Sequence, residues 1–83
     1  MNAIKIYGAD WCARTRCSRE HLDELGLEYG YVNVDADALA REWVKRHAGG
    51  RQKTPTIEID GLVLIAPSVA QLEAALAARG LRP

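Results

Sequence analysis

Ile4-Lys5-Ile6-Tyr7-Gly8-Ala9-Asp10-Trp11-Cys12-Ala13-Arg14-Thr15-Arg16-Cys17 reads as a short strand that hands over to a helix, with a cysteine at the handover. Residues 3–7 alternate apolar and polar, as a half-buried strand does. Residues 13–25 carry Thr15, Ser18, His21, Leu22 and Leu25 at helical spacing, and Gly26 follows as a left-handed C-terminal cap. A thiol at such a junction faces the unpaired N–H groups and the positive end of the helix dipole, both of which favour thiolate. Thiolate is the reactive form, so the placement points to redox or nucleophilic chemistry.

Outward from this unit, Tyr29 to Val34 is aromatic and β-branched and reads as a second strand. Asp35 or Asp37 can cap a helix with Leu39, Ala40, Trp43, Val44 and His47 on its inward face, stopped by Gly49-Gly50. Thr56-Ile57-Glu58-Ile59 and Leu62 to Ile65 flank Asp60-Gly61, a strong hairpin signal. Pro67 and Ser68 open a last helix in which Ser68 and Gln71 match the capping-box pattern. Val69, Leu72, Ala75 and Leu76 form its expected buried face, and Gly80 ends it. The order β-α-β-α-β-β-α combines one parallel crossover with one antiparallel hairpin. It predicts an α/β protein: a four-stranded mixed sheet between helices, the thioredoxin fold in its shortest form.

Length and charge set limits. Eighty-three residues are read as one domain spanning residues 1–83. Eleven basic residues balance eleven acidic ones, which gives no electrostatic reason to expect nucleic acid or an anionic membrane as partner. A strand pattern from the first residues leaves no segment for a signal peptide, and two cysteines are too few for a disulfide scaffold. A cytoplasmic monomer is the expectation.

The chain resembles glutaredoxin-like proteins, and within them the mycoredoxin-type branch of short bacterial redoxins. The resemblance rests on Ile6-Tyr7 before Trp11-Cys12, the Leu22-x-x-x-Gly26-x-x-Tyr29 spacing, Val34-Asp35, Gly49-Gly50 before Thr54-Pro55-Thr56, Asp60-Gly61 and Pro67-Ser68. It implies thiol–disulfide oxidoreductase activity on mixed disulfides, of proteins or small molecules, with glutathione or another low-molecular-weight thiol as co-substrate and no bound cofactor. Cys12 is then the attacking thiol, and Thr54-Pro55 matches the cis-proline segment along which substrate docks. The family's resolving cysteine falls on Thr15, as in monothiol members. The remainder of the iron–sulfur-binding C-G-F-S motif is absent, and Ile65-Ala66 lies where a Gly-Gly pair often precedes the last helix.

The residues themselves leave some roles open. Thr15 lies one turn after Cys12, about 5 Å away between Cα atoms, so its hydroxyl either donates to the thiolate or bonds to backbone. Cys17 is either a redox partner or a solvent-flank thiol. Five residues along a regular helix put it about 8.6 Å and about 140° from Cys12, beyond the roughly 7 Å a disulfide tolerates. His21, four residues after Cys17, is read as a partly buried helix residue; two ligands alone make no metal site. Asp10 is expected to oppose a thiolate, and Arg14 and Arg16 in the first turn call for a compensating anion. Trp11, Arg14, Arg51, Lys53, Thr54, Pro55 and Ser68 are the expected substrate-binding residues, with Arg51 and Lys53 suited to a small-thiol carboxylate. Against the enzyme stand a non-catalytic thiol- or peptide-binding module, a dithiol redoxin using Cys12 and Cys17, and an iron–sulfur carrier.

Overall fold

A computed structural model describes residues 3–81. The elements follow the expected order: β1 (Ile4–Gly8), α1 (Ala13–Glu24), β2 (Gly30–Asn33), α2 (Ala38–His47), β3 (Thr56–Ile59), β4 (Leu62–Ile65) and α3 (Val69–Ala78). The strands form one mixed sheet in the order β2-β1-β3-β4. β1 and β2 are parallel, and β1–β3 and β3–β4 are antiparallel. Thus β1, the strand that delivers Cys12, is central and held from both sides.

Period-two alternation divides the core. Ile4 and Ile6 of β1 with Ile57 and Ile59 of β3 face one side, where Leu22 of α1 and Leu72, Ala75 and Leu76 of α3 cover them. Tyr7 faces the other side with Val34, under Val44, Ala40 and Trp43 of α2. Ile57 is fully buried in an inner strand. Ile57→Ala should therefore cost about 2–5 kcal/mol through lost burial and a cavity, a large part of the roughly 5–15 kcal/mol by which such domains are stable. Urea unfolding of the two proteins measures the difference.

Local chemistry explains the joints. The hairpin turn has φ of +47° at Asp60 and +87° at Gly61, the paired positive values of a type I′ turn. Asp37, not Asp35, caps α2, accepting from Ala40 N–H at 3.0 Å. Ser68 and Gln71 close a reciprocal capping box on α3, at 3.1 and 2.8 Å. Ser68→Ala should lower stability by about 1 kcal/mol, read from the same denaturation curve. Gly26 takes φ +72° and ends α1 as expected.

Three expectations about buried faces are corrected. Leu39 is 84% exposed and His47 is exposed, while Ala40, Trp43 and Val44 carry the packing of α2. A ten-residue helix over the β1–β2 half of the sheet needs only that narrow stripe; Leu39 lies a helical step of about 100° from Ala40. His47 instead tilts against the outer face of Trp43, its centroid 4.1 Å from the indole. Val69 is half exposed, and α3 is anchored in the core from Leu72 onward, through Leu72, Ala75 and Leu76.

Candidate functional site

Cys12 is the N-cap of α1, with extended backbone (φ −81°, ψ 119°) and no side-chain capping bond of its own. The tight turn before it is closed by Cys12 N–H donating to Ala9 O at 3.0 Å. The side chain is 9% exposed, enough to be reached but shielded from bulk water. Its Sγ lies 3.8 Å from Thr54 O, across from the loop that precedes β3. The Thr54–Pro55 peptide bond is cis. Pro55 is buried, and its carbonyl accepts from Ala66 N–H at 2.8 Å, which ties this loop to the start of the segment leading into α3.

Burial pushes the Cys12 thiol up, but hydrogen bonds from the side chains of Thr15 and Thr54 and from the backbone of Thr15 and Arg14 outweigh it and bring the pKa down to about 7. The Thr54 carbonyl acts in the opposite sense, since it accepts from a protonated thiol. The leading favourable causes are thus the side chains of Thr15 and Thr54, followed by the helix N–H groups of Thr15 and Arg14, and not a neighbouring cation. The sign follows directly: the thiolate fraction rises with pH through about 7. Alkylation of Cys12 should accelerate across that range and level off above it, which peptide mapping after timed iodoacetamide treatment would record. Because this acidic group has a lowered pKa in the fold, its contribution to stability is complete above the unfolded thiol pKa and is lost as pH falls through about 7.

Thr15 does both things the sequence left open. It is fully buried, its Oγ1 accepts from Ala9 N–H at 3.4 Å, and its hydroxyl stabilises the Cys12 thiolate. Asp10 does not act as expected. Its carboxylate is turned away to accept from Tyr31 OH at 2.7 Å and from Asn33 Nδ2 at 3.5 Å. Burial and then the hydrogen bond to Asp10 push Tyr31 up to about 12, which keeps it the donor. Arg16 donates to Asp10 O at 3.0 Å, so its charge serves the loop before the thiol. Arg19 stacks over the Tyr31 ring at 4.0 Å on the same flank.

The remaining residues sort by element. Trp11 is 69% exposed beside the thiol, with its Nε1 donating to Asp35 Oδ2 at 2.8 Å. Arg14 is exposed on the first turn of α1; Arg51 and Lys53 are exposed on the loop before Thr54. That loop is pinned by Thr56 Oγ1 donating to Lys53 O at 2.9 Å. Ser68 spends both its hydroxyl and its N–H on the α3 capping box. Cys17 is a free, exposed thiol on α1, away from the buried Cys12. His21 turns its Nε2 to 3.4 Å from Glu73 Oε1. Among the described residues, no group of three His, Cys, Asp or Glu side chains is arranged to hold a metal ion.

Sequence reasoning missed Tyr31, Asn33 and Asp35, which orient Asp10 and Trp11 from β2 and the turn after it. Nothing in their spacing signals this, because parallel pairing across a crossover brings residues far apart in the chain side by side, as Tyr7 and Val32 are.

A buried thiolate-favouring cysteine at a helix start, facing a cis-proline loop on a four-stranded mixed sheet, defines a thioredoxin-fold thiol protein. Comparison with known proteins narrows the class. The Glutaredoxin family model matches residues 4–64. Mycoredoxin 1 of Corynebacterium glutamicum is 37% identical over 79 residues, which cover 94% of this chain and 98% of that protein. A mutant of the thioredoxin-like protein BC3987 superposes with a TM-score of 0.82 at 27% identity, over 93% of this chain and 97% of that one. The buckwheat glutaredoxin–glutathione complex shares the fold, with a TM-score of 0.72 at 20% identity over 99% of this chain and 83% of that one. The chain belongs to the glutaredoxin family, of the mycoredoxin type, and is a thiol–disulfide oxidoreductase.

Proposed function

We propose that the chain works by a monothiol mechanism on mixed disulfides formed with a low-molecular-weight thiol. The observation that carries this reading is Cys12 itself: N-cap of α1, nearly buried, with its thiol lowered to about 7. Cys12 thiolate attacks the sulfur of the small thiol in R–S–S–R′. A Cys12–S–S–R′ bond forms, the S–S bond of the substrate breaks, and R leaves as its thiolate. A second R′ thiolate then attacks the small-thiol sulfur of that adduct, releasing R′–S–S–R′ and restoring Cys12 thiolate.

Thr15 stabilises the attacking and leaving sulfur. Trp11 offers an apolar surface to the incoming chain, and Thr54 and Pro55 form the opposite wall. Among the described residues, the side chains of Arg14, Arg51 and Lys53 make no hydrogen bond or ion pair. In this reading they take the carboxylates of the small thiol, glutathione or another. Ser68 helps through the start of α3 rather than through a free hydroxyl. Cys17 stays outside the cycle, which is completed by one chain acting as a monomer in a reducing cytoplasm.

The test is release of the free thiol from a carrier protein bearing a single glutathione mixed disulfide. Turnover requiring Cys12, with a small-thiol adduct on Cys12 by mass spectrometry, is the expected result. An adduct without turnover would overturn the monothiol cycle on this class of substrate. Absorbance of a bound cluster after iron and sulfide reconstitution would point to a carrier.

A further inference from the structure

Gly8, the last residue of β1, is buried and pairs with Asn33 in the sheet. Its backbone is not in the left-handed region, so a larger residue would meet no backbone strain there. Space is the whole issue. A Cβ on Gly8 would lie 2.5 Å from Thr15 Cγ2, 2.6 Å from Thr15 Oγ1 and 3.1 Å from Thr15 Cβ. All three atoms belong to one side chain, which is itself fully buried.

Neither partner has an easy retreat. Val34 N–H donates to Gly8 O at 2.9 Å and fixes the glycine from the β2 side. Ala9 N–H donates to Thr15 Oγ1 and fixes the hydroxyl from the other. Gly26, Gly49, Gly50, Gly61 and Gly80 differ: each has positive φ and open space around it, so each serves a turn. Gly8 alone among these serves a close approach.

We propose that Gly8 is a positioning residue for the Cys12 thiol: its missing Cβ is the space the Thr15 side chain fills, and this seats the Thr15 hydroxyl between Ala9 N–H and Cys12 Sγ. A side chain at position 8 pushes Thr15 back along α1 and takes the hydroxyl away from the sulfur. The inference rests on the reading of Cys12 as the nucleophile, but its first readout is a thiol titration and needs no turnover.

The experiment is a double-mutant cycle of Gly8→Ala and Thr15→Ala, with Cys12 alkylation followed against pH by peptide mapping and the fold checked by circular dichroism. Gly8→Ala should raise the Cys12 pKa by about one unit, which from a start near 7 lowers the thiolate fraction at pH 7 by about fivefold. Thr15→Ala should raise it comparably. In the Thr15→Ala background, Gly8→Ala should add no further shift, because the group it displaces is gone. An unchanged pKa in Gly8→Ala, or an equal shift in both backgrounds, overturns the proposal. Should Gly8→Ala fail to fold, the double variant decides. Recovery of the fold with the pKa of Thr15→Ala supports the proposal, and persistent unfolding overturns it. Absence of turnover in the parent protein, with the titration pattern intact, would instead count against the proposed catalytic cycle alone.

Discussion

Cys12→Ser is expected to reduce exchange of a small-thiol mixed disulfide to background, whereas Cys17→Ser should leave the rate within about twofold, as for an ordinary surface substitution. The physical difference is the environment of the two sulfurs. Cys12 sits where the first turn of α1 leaves N–H groups unspent, and it receives hydrogen bonds from Thr15, Thr54 and the backbone of Arg14 and Thr15. Cys17 lies further into the same helix, exposed, where the neighbouring N–H groups are already used in helix bonds. A hydroxyl in place of the Cys12 thiol keeps the geometry but cannot form the mixed disulfide that the cycle requires. Single-turnover assays of both variants, with mass spectrometry of the trapped adduct, check this. Labelling of Cys17 ahead of Cys12 at neutral pH would reverse the assignment of nucleophile.

Thr15→Cys should change the chemistry rather than remove it. Residues 12 and 15 are an N-cap and the third residue of a regular helix. Their Cα atoms stand about 5 Å apart on helical geometry, inside the disulfide range. On mild oxidation the variant should form an internal bridge between Cys12 and the introduced thiol, seen as the loss of the two thiol hydrogens from the peptide mass. The parent, under the same treatment, should accumulate small-thiol adducts on Cys12. A bridge between Cys12 and Cys17 requires the first turn of α1 to unwind, since five helical residues separate the sulfur-bearing positions by about 8.6 Å. If the parent nonetheless forms that bridge quantitatively and keeps its fold, the monothiol cycle is wrong and the Cys12–Cys17 pair is the working one.

Much of the fold was legible because its signals are local. Asp60-Gly61 specifies a type I′ turn through its own backbone preferences, Ser68 and Gln71 cap α3 across three residues, and Gly26 ends α1 by taking positive φ. Each depends on atoms within one turn of chain, and the element order found is the one read from residue pattern alone. Burial on α2 was read less well, because periodicity gives the direction of a helix face but not the width of the surface beneath it. Only the packing of Tyr7, Val32 and Val34 decided that Ala40, Trp43 and Val44 are inside and Leu39 is outside.

The site divides along the same line. By itself the sequence determined that Cys12 stands at the start of a helix and that Thr15 stands one turn on, since both facts follow from the strand-to-helix change of pattern and from helical spacing. Tertiary structure decided what the thiol feels. Asp10 precedes Cys12 by two residues and reads as a repulsive charge, yet Tyr31 and Asn33 of the neighbouring strand draw its carboxylate aside. Thr54 is 42 residues distant in sequence and forms the opposite wall of the site. Gly8 looks like any glycine until the Thr15 side chain is seen filling the place of its missing Cβ. Hydrogen bonds and close contacts act over a few ångströms, and which groups come that near is set by strand pairing and by the crossover from β1 to β2, not by separation along the chain.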